Sequence, residues 1–187
     1  MGRPLERELV DLAKRGDEEA FDALARSVGD RCIAIASWIL RDADLAEDAV
    51  QAALVRAWRD LRTLRDSDRF EPWLHRILTN ECYAEARRQR RWSANIRLLP
   101  TAHSVSEDGV LTVHDRDQLD RAFRRLTVEQ RAVLVFHHYV GLPVPEVAAR
   151  LGIPPGTAKS RLHHATAALR ASLEADDRST FAGDRPA

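Results

Sequence analysis

Two adjacent histidine pairs, His137-His138 and His163-His164, are the most chemically suggestive residues in this chain, followed by two cysteines and a dense run of arginines. Adjacent helical residues point about 100° apart, whereas two metal ligands on one helix face favour a spacing of four, as in H-E-x-x-H. Neither histidine pair easily chelates one ion, and His138 and His164 read as surface groups. Cys32 and Cys82 each stand alone, without a partner at metal-ligand spacing, and read as buried, reduced thiols. No catalytic residue, metal or cofactor is expected.

The arginines suggest binding instead. Arg87, Arg88, Arg90, Arg91 and Arg97 face a single nearby acid, Glu85. Cations suit a helix C-terminus through the macrodipole, but five in one short stretch exceed that need. Tyr83 and Trp92, close by, carry rings that could stack on unpaired bases or close a core. A second cationic segment, Pro155–Leu173, holds Lys159, Arg161 and Arg170 and no acid. The acids collect elsewhere, at Asp42, Asp44, Glu47 and Asp48, and again at Glu107, Asp108, Asp115, Asp117 and Asp120. The formal net charge is +0, yet the charge is segregated, which points to two different partners.

The elements that must position these groups are helical. Hydrophobic residues make up 44% and charged residues 31% of the 187, so the chain should fold, and no strand pattern is convincing. Ala20, Phe21, Leu24, Ala25 and Val28 recur at helical spacing, and Ile33, Ile35, Ala36, Ile39 and Leu40 continue it as a second helix after a break at Gly29-Asp30. Asp44 followed by Glu47 resembles a capping box. The helix it opens places Val50, Leu54, Ala57, Trp58 and Leu61 on one face. A polar loop follows, and Pro72 suits the first turn of a helix running to about Arg91.

Residues 93–115 lose periodicity and read as a flexible linker. Beyond it, Thr127 and Gln130 form a capping box for a helix ending at Gly141. A short helix, Val144–Leu151, a turn, Gly152–Pro154, and a longer helix from Pro155 to Leu173 have the helix-turn-helix layout. The second helix of such a unit enters the major groove. Its inner face is expected at Ala158, Leu162, Ala165 and Leu169. Its outer face then carries Thr157, Lys159, Ser160, Arg161, His163 and His164, types able to reach phosphates and base edges. The expected fold is all-α: two small helical domains at 1–92 and 116–173, the second with the helix-turn-helix, and a disordered tail at 174–187. The N-terminus alternates charge with Leu and Val and shows no secretory pattern, so the chain reads as cytoplasmic.

At this point the sequence resembles a known family. "GDEEAFDAL … WILRDADLAEDAVQAALVRAW … FEPWLHRILTNECYAEARRQRR" is similar to region 2 of extracytoplasmic-function sigma factors, and "LTVEQRAVLVFHHYVGLPVPEVAARLGIPPGTAKSRLHHATAALR" to their region 4. The two in this order form a highly specific pattern. The resemblance implies an RNA polymerase sigma factor that binds core enzyme through its β′ and β subunits and directs it to promoter DNA. Glu47, Asp48, Gln51, Arg56 and Trp58 would then dock on polymerase. The loop Leu64–Phe70 would melt and read the −10 element together with Arg76, Asn80, Tyr83, Arg87 and Arg88 of the next helix. The outer face of the helix-turn-helix would read the −35 element. An anti-sigma factor, often membrane-bound, would hold the protein inactive, and no small-molecule substrate is implied.

The sequence departs from the family pattern at Ala52, Ala53 and Leu54, where an acid, a small residue and an aromatic are usual, and at Pro145. His137, His164 and Thr166 stand where arginine is frequent, which implies weaker phosphate contacts. The other reading of the residues is a helix-turn-helix regulator whose first domain senses a ligand or dimerises, but no ligand pocket or phospho-acceptor motif is legible there. The linker's 23 residues would reach roughly 75 Å when extended, enough to let two domains engage separate promoter elements.

Overall fold

Aspartate caps start two of the helices of the first domain. The structure is a computed structural model that describes residues 4–95 and 113–183, and every element among them is helical. Helix α1, Pro4–Lys14, buries Val10 and Ala13 and gives way to Gly16, whose φ of 97° is left-handed. Helix α2, Glu18–Leu40, opens on Asp17, whose carboxylate accepts from the Ala20 N–H at 3.0 Å. It ends on Arg41, a non-glycine residue at φ 62°. The Arg41 N–H donates to the Ser37 carbonyl at 2.8 Å, and its guanidinium lies 4.9 Å from the Trp38 ring centre. These contacts offset the roughly 1–2 kcal/mol that a left-handed L-residue costs.

The break expected at Gly29-Asp30 does not occur, and α2 runs straight through. Glycine within a helix costs about 1 kcal/mol relative to alanine, which packing on both sides outweighs. Leu24 before it and Cys32, Ile35, Ala36 and Ile39 after it are all buried.

Helix α3, Ala43–Asp60, is capped by Asp42 rather than by Asp44, the Asp42 carboxylate accepting from the Leu45 N–H at 3.1 Å. Asp44 falls in the first turn, where it still suits the helix dipole. The core face of α3 is largely alanine: Ala46, Ala49, Ala53 and Ala57 are buried with Val50, whereas the expected anchors Leu54 and Trp58 are only half-buried. Small side chains let α3 lie close against both α2 and α4. Two 3₁₀ turns, Leu61–Thr63 and Ser67–Arg69, then lead into helix α4, Phe70–Asn95, which spans more than the expected 72–91. Phe70, Leu74, Leu78 and Cys82 bury its inner edge.

The second domain opens with helix α5, Val113–Arg124. Helix α6, Val128–Leu134, carries the expected capping box: Thr127 Oγ1 accepts from the Gln130 N–H at 3.2 Å, and Gln130 Oε1 accepts from the Thr127 N–H at 2.9 Å. Its continuation, Val135–Tyr139, widens into a π-helical turn in which the Val140 N–H donates to the Val135 carbonyl at 3.0 Å. His137 Nδ1 lies 2.8 Å from the Leu142 carbonyl and closes this turn, and Gly141 follows at φ 80°. Helix α7, Val144–Leu151, and helix α8, Pro155–Gly183, form the helix-turn-helix. Gly152 takes φ 66°, and the Ile153 N–H reaches back to the Ala148 carbonyl at 3.0 Å, the bonding of a Schellman stop. Where disorder was expected from residue 174, α8 continues to Gly183. The linker segment 96–112, with Arg97, Glu107 and Asp108, lies outside the described residues, as do 184–187.

Candidate nucleic-acid interface

Helix α4 gathers its polar residues into a stripe. Arg76, Asn80, Tyr83 and Arg87 recur at intervals of four, three and four, so they share one face. Arg76, Asn80 and Arg87 are exposed and Tyr83 is half-buried. Eleven residues at about 1.5 Å each set Arg76 and Arg87 roughly 16 Å apart. Arg88 departs from this face by about 100° and is engaged within the helix, its Nη1 lying 2.6 Å from Glu85 Oε2. Glu85 is only 7% exposed. Arg90 and Arg91 extend the cationic end of the helix, and Trp92 beside them is 66% exposed. The Trp92 ring is therefore not a core residue.

Glu47, Asp48 and Gln51 project outward from α3. Arg56 and Trp58, on the same helix, are already occupied. Arg56 Nη1 lies 3.0 Å from Glu81 of α4 and its Nε 3.5 Å from Asp60, and Trp58 stacks obliquely on Phe21, with ring centres 4.9 Å apart. Sequence periodicity gave no sign of the Arg56–Glu81 pair, because its partners are far apart in the chain. Between α3 and α4 runs a shallow groove of about 420 Å³, lined by Asp48, Gln51, Ala52, Val55, Glu81 and Arg88. The exposed Ala52 makes part of its lining apolar.

In the second domain α8 divides as its spacing implies. Ala158 and Ala165 are fully buried, while Leu162 and Leu169 are half-buried. Lys159, Ser160, His163 and His164 are exposed, and Thr157 and Arg161 partly so. Ser160 Oγ donates to the Thr157 carbonyl at 3.1 Å, which holds it near the helix surface. The rings of His163 and His164 meet edge-on at 5.7 Å and those of His137 and His138 at 4.6 Å. Burial, and then the neighbouring His137, hold the His138 imidazole below its ordinary range. Among the described residues no group of three or more His, Cys, Asp or Glu side chains could hold a metal ion. Burial pushes the Cys32 thiol up to about 11 and the Cys82 thiol up to about 12, so both stay protonated.

A basic stripe on one helical domain, followed by a helix-turn-helix domain with a polar outer face, describes a DNA-reading transcription protein with two contact surfaces. Comparison with known proteins gives the family. Residues 24–92 match Sigma-70 region 2 and residues 116–169 match Sigma-70, region 4. The chain is 34% identical over 166 residues to the ECF RNA polymerase sigma factor SigL of Mycobacterium tuberculosis, covering 85% of this chain and 94% of that protein. It is 33% identical over 162 residues to SigM of the same organism, covering 87% and 81%. Among solved structures it is similar to CnrH in complex with the cytosolic domain of CnrY, with 27% identity, TM-score 0.67 and coverage of 92% and 99%. It is similar also to the sigma factor RpoE in complex with the anti-sigma factor NepR from Bartonella quintana, with 28% identity, TM-score 0.67 and coverage of 83% and 98%. The chain belongs to the extracytoplasmic-function sigma factors of RNA polymerase, the proteins that direct the polymerase to promoters. The match of the first domain to region 2 displaces the reading of that domain as a sensor.

Proposed function

We propose that this sigma factor divides its work between three surfaces. Glu47, Asp48 and Gln51 on α3 meet core polymerase, with Arg56 and Trp58 supporting that helix from positions engaged inside the domain. The loop Leu64–Phe70 and the α4 residues Arg76, Asn80, Tyr83, Arg87 and Arg88 open and read the −10 element. Thr157, Lys159, Ser160, Arg161, His163 and His164 on α8 read the −35 element. The observation that carries this reading is the paired geometry: an aligned polar stripe on α4 and a helix-turn-helix whose exposed face holds the residues that can bond bases and phosphates. Both surfaces bind and neither offers reaction chemistry, so the protein is not an enzyme and the polymerase supplies the catalysis.

The site of action is the cytoplasm, where promoter and polymerase are. Among the described residues no helix is long and apolar enough to cross a membrane. The likeness to two factors solved with a bound inhibitor or partner domain supports a protein inhibitor for this chain too. The linker, given its length, lets both domains act on one promoter. Promoter-dependent transcription with purified core polymerase tests the reading. Lys159→Ala with Arg161→Ala should lower transcription from a −35-dependent promoter, each lost base contact being worth about 1–3 kcal/mol. Full activity of that double variant would mean that α8 is not the reading helix.

A further inference from the structure

The loop between α3 and α4 is anchored from a distant part of the chain. Its apolar residues Leu61 and Leu64 sink into the core, and Phe70 does the same at the start of α4. That leaves Arg62, Thr63, Arg65, Asp66 and Arg69 exposed. The second 3₁₀ turn, Ser67–Arg69, is shaped locally by Asp66, which accepts from the Asp68 N–H at 3.0 Å. It is also held from outside. Arg7 Nη1 lies 3.0 Å from Asp68 Oδ2, and Ser67 Oγ donates to Asp11 Oδ1. Both outside partners sit on α1, four residues apart and therefore on one face, while Val10 and Ala13 on the adjoining face fix α1 to the core. Helix α1 packs against both 3₁₀ turns as well as against α2.

We infer that α1 is a clamp for this loop, and that Arg7 and Asp11 are positioning residues for promoter reading. Neither touches DNA in this role. They hold Ser67 and Asp68 in place so that Arg65 and Arg69 are presented in a fixed arrangement. A loop ordered beforehand does not lose its conformational freedom when it meets the strand, which strengthens binding and sharpens discrimination. The inference rests on the proposal that the loop meets the −10 element. Nothing in the α1 sequence alone assigns it this task, because Arg7 and Asp11 look like ordinary solvated charges.

The test uses the full-length protein with Arg7→Ala and Asp11→Ala, singly and together, with Arg7→Lys as the conservative control and a thermal melt to check folding. Hydrogen exchange of the free protein should speed up in residues 61–69 of the double variant and stay unchanged in α8. The gain should be roughly three- to seventyfold, the scale of a screened ion pair and one hydroxyl hydrogen bond together. Open-complex formation on a cognate promoter should fall by a similar factor while core-polymerase affinity holds. Arg7→Lys should restore most of both. Unchanged exchange in 61–69 would overturn the clamp. Faster exchange with normal promoter opening would overturn its role. Arg65→Ala with Arg69→Ala separates the two ideas. If that pair lowers opening while the α1 variants do not, the clamp alone is wrong; if it too is silent, the loop does not read the promoter.

Discussion

Arg56 lies on the proposed polymerase-docking helix yet is bonded to Glu81 of α4, so its substitution has two separable consequences. A double-mutant cycle with Arg56→Gln, Glu81→Gln and the double variant resolves them. Arg56 is 54% exposed and Glu81 19%, at a separation of 3.0 Å. Exposed pairs of this kind are worth about 0.2–1 kcal/mol after screening, and the partial shielding of Glu81 places this one in the upper half, about 0.5–1 kcal/mol. For a domain of this size, 1 kcal/mol moves Tm by about 4–8 °C. Each single variant should therefore melt about 2–8 °C lower, and the double variant should lose little more than either single one. Raising the salt concentration should shrink the coupling. The companion assay is affinity for core polymerase. If Arg56 acts by holding α3 on α4, both single variants weaken core binding alike; if its cation meets polymerase, Arg56→Gln weakens it and Glu81→Gln does not. A coupling below about 0.2 kcal/mol, the lower edge for such pairs, would refute the structural role assigned to the pair.

Two further outcomes follow from other parts of the molecule. Gly152 sits at φ 66° in the helix-turn-helix, and Gly152→Ala should destabilise the second domain by about 1–2 kcal/mol, read as a lower Tm, while a normal melting curve would contradict the left-handed stop. Burial holds the His75 imidazole down at about 3, whereas the unfolded chain titrates near 6.5. Stability from the buried neutral ring is complete above pH about 6.5 and falls as the pH drops toward 3, by up to about 1.4 kcal/mol per pH unit; acid titration of unfolding should show this slope, and His75→Gln should flatten it.

Local chemistry was readable in the sequence wherever a motif closes within a few residues. The Thr127–Gln130 capping box, the left-handed Gly152 and the split of α8 into a buried alanine edge and a polar face all depend on neighbours three or four positions away. Errors arose where a distant contact decided the outcome. Gly29 looked like a break because its own propensity is poor, but packing by Leu24 and Ile35 keeps α2 continuous. The α3 core face expected at Val50, Leu54, Ala57, Trp58 and Leu61 is buried at Val50, Ala57 and Leu61, whereas the close approach of neighbouring helices also buries Ala46, Ala49 and Ala53 and leaves Leu54 and Trp58 half-buried. At the site, the resemblance to region 2 pointed to Arg76, Asn80, Tyr83 and Arg87, and their spacing of four, three and four puts them on one face of α4. The engagement of Arg56 by Glu81, and of Ser67 and Asp68 by α1, joins residues too far apart for any periodicity to reveal. The π-helical turn at Val135–Tyr139 carries no sequence signature that we recognise.

Because α4 runs without interruption from Phe70 to Asn95, distance along it and direction around it cannot be varied independently. One residue inserted between Asn80 and Tyr83 would swing Arg87 by about 100° while moving it only about 1.5 Å along the axis, taking it off the surface that Arg76 still occupies. Seven inserted residues would nearly restore the direction, at 700° or about 20° short of two full turns, but would carry Arg87 about 10 Å further along. This helix can therefore diversify by exchanging side chains and scarcely at all by changing length. If the stripe reads the promoter as proposed, a new preference is reachable through point substitutions on it, whereas a one-residue insertion or deletion inside it rotates every downstream residue at once.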